Sequence, residues 1–97
     1  MILRSGAVVN MNLSNGWTLG TSGDIRFGLS GGVVTQLNGS EVTVFGRILC
    51  TAPSEFNADA IFESLSEVES TDLFDFNGAV IINGGTFNTF NSLISLP

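Results

Sequence analysis

Gly31 to Thr51 reads GGVVTQLNGSEVTVFGRILCT, and here turn chemistry, alternation and strand length agree. An Asn-Gly pair accepts the two positive φ angles of a type I′ turn, whose twist matches that of flanking strands. Asn38-Gly39 is therefore read as the tip of a β-hairpin. Its register sets Leu37 opposite Ser40, Thr35 opposite Val42 and Val33 opposite Val44, with Gln36, Glu41 and Thr43 on the other face. The returning strand continues to Thr51, with Val42, Val44, Ile48 and Cys50 sharing one parity and Thr43, Phe45, Arg47 and Leu49 the other. Both faces are partly apolar, which calls for a covering layer on each side.

The rest of the chain extends this pattern. Met1-Ile2-Leu3 is half a strand or an arm reaching for a neighbour. A second turn falls at Asn15-Gly16, with Val9, Met11, Leu13 and Thr18 on one face and Trp17 on the other. Asp24 to Leu29 alternates, Ile25, Phe27 and Leu29 against Asp24 and Arg26, as a half-buried strand does. A last turn sits at Asn83-Gly84-Gly85. Between these strands the composition shifts: seven of the nine acidic residues lie from Glu55 to Asp75, and Ala58, Ile61, Phe62, Leu65 and Val68 recur at helical spacing. This predicts an amphipathic helix over 57–69, capped by Ser54 or Asn57, in which Leu65 is a core residue.

The expected fold is thus mainly β: one domain over 1–97, a small antiparallel β-sandwich or partly open barrel built of hairpins, with one short helix. Three glycine-led runs, Gly6-Ala7-Val8-Val9, Gly32-Val33-Val34 and Gly78-Ala79-Val80-Ile81, raise the alternative of a parallel β-helix. Their uneven spacing and the intervening acidic segment favour hairpins.

Charge and residue inventory narrow the function. The chain has three arginines, Arg4, Arg26 and Arg47, no lysine, and a formal charge of −6, so the basic footprint of a nucleic-acid-binding surface is missing. No apolar run approaches the ~20 residues of a membrane-spanning helix. With no His, Tyr or Lys, and with Cys50 read as a small buried hydrophobe, most acid, base and nucleophile roles have no occupant; the protein is read as no enzyme, with no catalytic, cofactor or metal site. Asp72, Asp75 and Asn77 offer oxygen ligands, but the loop 72–77 lacks the calcium-loop glycine and terminal Glu and is read as solvated. Glu63 and Glu67 would repel one turn apart on a helix and suit a solvated face. Trp17, Phe87 and Phe90 suggest a sugar-stacking platform, against which stands their ordinary role as core. The sequons Asn12-Leu13-Ser14 and Asn38-Gly39-Ser40 are read as chance matches, since no secretory signal is visible.

In composition the chain is similar to small structural proteins of virus particles, such as phage capsid decoration, fibre or tail components. That resemblance implies a homo-oligomer, with a trimer favoured, bound to other structural proteins of a virion and assembled in the host cytoplasm. The alternative is a small β-sandwich module recognising carbohydrate or protein. Ser92 to Leu96 forms a weakly charged terminal strand, paired either across a subunit boundary or within the protomer.

Overall fold

The computed structural model describes residues 1–11, 16–29, 33–88 and 94–95. It is all β, with no helix among the described residues. Twelve strands run in order: β1 (Ile2–Arg4), β2 (Val8–Met11), β3 (Trp17–Leu19), β4 (Asp24–Leu29), β5 (Thr35–Val44), β6 (Arg47–Cys50), β7 (Ser54–Phe62), β8 (Glu67–Ser70), β9 (Phe74–Phe76), β10 (Val80–Ile82), β11 (Thr86–Asn88) and β12 (Ile94–Ser95). They form two parallel sheets, β1-β4-β6-β8-β11 and β12-β9-β7-β5-β2, with β3 also pairing β5 and β10 also pairing β7. The chain alternates between the sheets and climbs one strand per circuit, making a β-solenoid of about four turns.

Each circuit sets like beside like. Asp24, Arg47, Glu67 and Thr86 stand in register in the first sheet, 23, 20 and 19 residues apart, and beside them Ile25, Ile48, Val68 and Phe87 form an inward row. In the second sheet Val9, Leu37, Phe56 and Phe76 make one inward row and Leu19, Val44 and Phe62 another, which Ile82 continues at the half-exposed last layer. Stacking in a parallel solenoid puts the same chemical environment at the same position of every coil, so small changes of side chain are absorbed by the rows above and below. Phe27, Phe56, Phe62, Phe74, Phe76 and Phe87 form one chain of ring contacts, with centroids 4.6–6.3 Å apart and tilted or edge-on. Such pairs each add about 0.5–1.5 kcal/mol beyond their burial.

The corners solve a polar problem. At the turn from one sheet to the other the backbone carbonyls leave the ladder, and buried side chains take them up. The Ser54 hydroxyl donates to the Ala52 carbonyl at 2.8 Å, the Cys50 thiol to the same carbonyl at 3.1 Å, and the Ser70 hydroxyl to that of Asp72. Thr35, also buried, accepts from the Gly6 N–H at 3.2 Å. A hydroxyl bonding locally to backbone costs little space and leaves no buried carbonyl unpaired.

Three expectations are overturned. Every pairing among the described strands is parallel, so the fold is a solenoid and not the antiparallel sandwich or barrel built of hairpins. Asn38-Gly39 lies inside β5, and a register shift between Asn38 and Glu41 replaces the turn. Val33 does not face Val44; it is exposed near the first coil, where its backbone N–H and C=O bond the Ser5 hydroxyl. Gly84 and Gly85 stand in the corner between β10 and β11, and Asn15 lies outside the described residues. The helix over 57–69 is replaced by β7, a turn and β8: Ser54, Phe56, Ala58, Ala60 and Phe62 are buried while the residues between them point outward, a period of two. Leu65, the supposed core residue, is 80% exposed with φ of 72°.

The β-helix alternative, set aside on spacing, describes the molecule, though through other repeats. Gly6 lies at the entry to the second sheet and Gly78 beyond its middle, against Ala58, so the glycine-led runs do not stack. The stacking units are Glu55-Phe56-Asn57 over Asp75-Phe76-Asn77.

Candidate functional site

The outer face of the second sheet carries the most organised polar array among the described residues. Asn10, Asn38, Asn57 and Asn77 come from four successive coils and bond along the solenoid axis. The Asn38 amide donates to Asn10 Oδ1 at 3.0 Å, Asn57 to Asn38 Oδ1 at 2.7 Å, and Asn77 to Asn57 Oδ1 at 2.7 Å. An amide has both a donor and an acceptor, which is why Asn can repeat in such a ladder where a carboxylate could not. Beside it Gln36, Glu55 and Asp75 form a second outward row, and Asp59 accepts the Ala79 N–H at 2.9 Å. An open depression lies on this part of the face between Ser40, Asp59, Asn77 and Gly78.

Gly39 and Gly78 follow the ladder and permit its close spacing. A Cβ on Gly39 would lie 2.8 Å from the Met11 carbonyl oxygen, and one on Gly78 would collide with the Ala58 carbonyl. The Asn-Gly pairs thus serve strand stacking rather than turning.

The outer face of the first sheet mixes charges. Arg26 pairs with Asp24 at 3.4 Å and Arg47 with Glu69 at 3.3 Å. Exposed pairs of this kind contribute little, at most about 1 kcal/mol. A groove at the neighbouring corner is lined by Ser22, Asp24, Gly46, Arg47, Leu65 and Glu67. Asp24 Oδ1 and Arg47 Nε, which have no hydrogen-bond partner, are buried and so turned away from any visitor to it.

The sequence-derived candidates are dispersed. Cys50 is buried, and burial pushes its thiol above the ordinary range, so it stays protonated at neutral pH. Asp72 Oδ1 accepts its neighbour Leu73's N–H, Asp75 lies in the outward row, and Asn77 belongs to the ladder. Among the described residues no group of three or more Asp, Glu, Cys or His gathers as a metal site, and no helix is long and apolar enough to cross a membrane. Trp17 in β3 and Phe87 in β11 belong to different sheets and both pack against the core, and Phe90 lies outside the described residues, so no platform is assembled from the first two. The ladder was not anticipated, although Phe56-Asn57 and Phe76-Asn77, twenty residues apart, were its visible trace.

The coil ends complete the inventory. All nine acidic residues fall between Asp24 and Asp75, on the middle coils; Arg4 is the one charged side chain before Asp24, and none follows Asp75. No described strand pairs with the outer edges of β1, β2 or β3, nor with those of β10 and β11. No family model matches this sequence, and neither a curated protein nor a solved structure matches it.

Proposed function

We propose that this chain is a non-enzymatic structural protein that binds copies of itself or a protein lattice, as a virus-particle component such as a capsid decoration, fibre or tail protein does. The observation that carries this reading is the combination of open strand edges with ends free of acid. A bare edge offers unpaired N–H and C=O groups, and proteins that must stay apart blunt it with lysine, proline or inward charge. Here lysine is absent throughout and the acidic residues lie away from both ends. Repulsion among copies of net charge −6 is therefore weakest end-on.

Further support comes from rigidity without chemistry. The ladder and the ring chain fix the solenoid's shape, while His, Tyr and Lys are absent and Cys50 is buried. Size-exclusion chromatography with light scattering tests the reading: a stable homo-oligomer at micromolar concentration supports it, and a monomer at every concentration refutes self-assembly.

A further inference from the structure

We infer that the open edge of the first coil is the self-association surface, on which a second copy pairs its own first coil antiparallel about a two-fold axis. This rests on the assembly reading above and names its interface. The backbone supplies the first ground. The Met1 carbonyl accepts the Arg26 N–H at 3.0 Å and the Ala7 carbonyl accepts the Gln36 N–H at 2.9 Å, so both address the interior neighbour. Alternate residues of a parallel strand address opposite neighbours. Ile2 and Val8 therefore turn their N–H and C=O groups to the open side, one in each sheet.

Their side chains agree. Ile2 is 58% and Val8 57% exposed, a large apolar residue at each open strand where an edge in solution ordinarily carries charge. Charge then disfavours lateral packing through the second sheet. Side by side through the second sheet, copies would confront Glu55, Asp59 and Asp75, and through the first sheet Glu67 beside the paired Arg47 and Glu69, whereas the first coil holds only Arg4. An antiparallel pairing centred on Ile2 exchanges the open-side N–H and C=O of the two Ile2 residues and leaves the Arg4 carbonyl, which accepts the Ala7 N–H at 2.9 Å, within its own coil; the two guanidinium groups then lie at opposite ends of the pairing and do not meet.

The two ends also differ in shape. β2 and β3 both pair with β5, so the first coil presents its second-sheet edge at one level. At the far end β10 is open while β9 beside it is already covered by β12, and the edge is broken by one strand spacing, ~4.8 Å. A level edge can be matched along its length by its own copy. A two-fold, isologous contact closes on itself and yields a dimer rather than a trimer or a fibre.

The test is sedimentation velocity and light scattering on the parent, on the double variant Ile2→Lys with Val8→Lys, and on Ile81→Lys at the far end. The inference expects a dimeric parent, a monomeric double variant with unchanged circular dichroism and melting, and a dimeric Ile81→Lys. Should the lysine pair disturb folding, Val8→Pro removes the open-side N–H without deleting a hydrogen bond to β5, fixes φ and keeps Ala7 extended, and is expected to give the same monomer. A parent that assembles while the first-coil variants assemble equally overturns this interface and leaves the assembly reading standing. A trimeric parent, or dissociation by Ile81→Lys, also overturns the two-fold pairing. A parent that is monomeric at all concentrations overturns both this interface and self-assembly.

Discussion

Removing the Asn57 side chain tests whether the asparagine ladder holds the coils together. Asn57 donates one ladder bond and accepts another, each 2.7 Å long, and is partly buried, whereas Asn10 at the exposed end takes part in one bond of 3.0 Å. Neutral hydrogen bonds contribute about 0.5–1.5 kcal/mol net each. Asn57→Ala is therefore expected to cost about 1–3 kcal/mol and Asn10→Ala no more than about 1 kcal/mol. Urea unfolding followed by circular dichroism reads the difference as a shift of midpoint at constant slope. Asn57→Asp adds a pH signature. The introduced carboxylate cannot donate to Asn38 and stands on the same face as Glu55 and Asp59, whereas its protonated form can donate. Its folded-state pKa is thus raised above the usual ~3.9, so the stability tied to the proton is present below that value and lost as pH rises through the raised one. Relative to the parent, Asn57→Asp should be weakest near pH 7 and recover towards pH 4. The reasoning fails if Asn57→Ala costs no more than Asn10→Ala, or if the deficit of Asn57→Asp is the same at both pH values.

Three further outcomes follow from the same geometry. Leu65→Gly relieves a left-handed backbone at an 80% exposed side chain and should stabilise by up to ~1 kcal/mol, while Leu65→Ala should change stability by less than about 0.5 kcal/mol; thermal melts separate the two. Gly39→Val forces a side chain to within 2.8 Å of the Met11 carbonyl and should cost roughly 1–3 kcal/mol by denaturant titration; parent-like stability would show that the strands can part there freely. Trp17→Phe removes a buried indole N–H that has no partner and should be neutral or stabilising, measured by far-ultraviolet melting.

Inward residues were legible in the sequence where topology was not. The hairpin reading needs a change of parity between Leu37 and Val42, and a β-bulge in one continuous strand produces the same change, so both readings bury Leu37, Val42 and Val44. Only the stacking partner of each strand decides between them. The acidic segment misled differently. Its inward positions carry Ser54, Ala58 and Ala60 beside Phe56 and Phe62, and its outward ones include Ile61, so hydrophobicity alone blurred the period of two. Alternation of Glu55, Asn57 and Asp59 on the outer face carried the strand signal instead. The ladder escaped notice because Asn before Gly is also a strong turn signal, and nothing local separates the two uses.

The spacing of the circuits bears on how such a chain can change. Between Arg47 and Glu67 one circuit takes 20 residues, and duplicating that unit would add a layer whose rows match those on either side. Insertions of other lengths must be expelled from the ladder. The chain shows this already: Met11 and Trp17 stand level with Gly39 and Val42, so the first coil spends six residues where the second spends three, and the second in turn bulges by one against the third. Growth by whole circuits leaves the two terminal layers unaltered, so the length of the solenoid and the identity of its contacts can evolve independently.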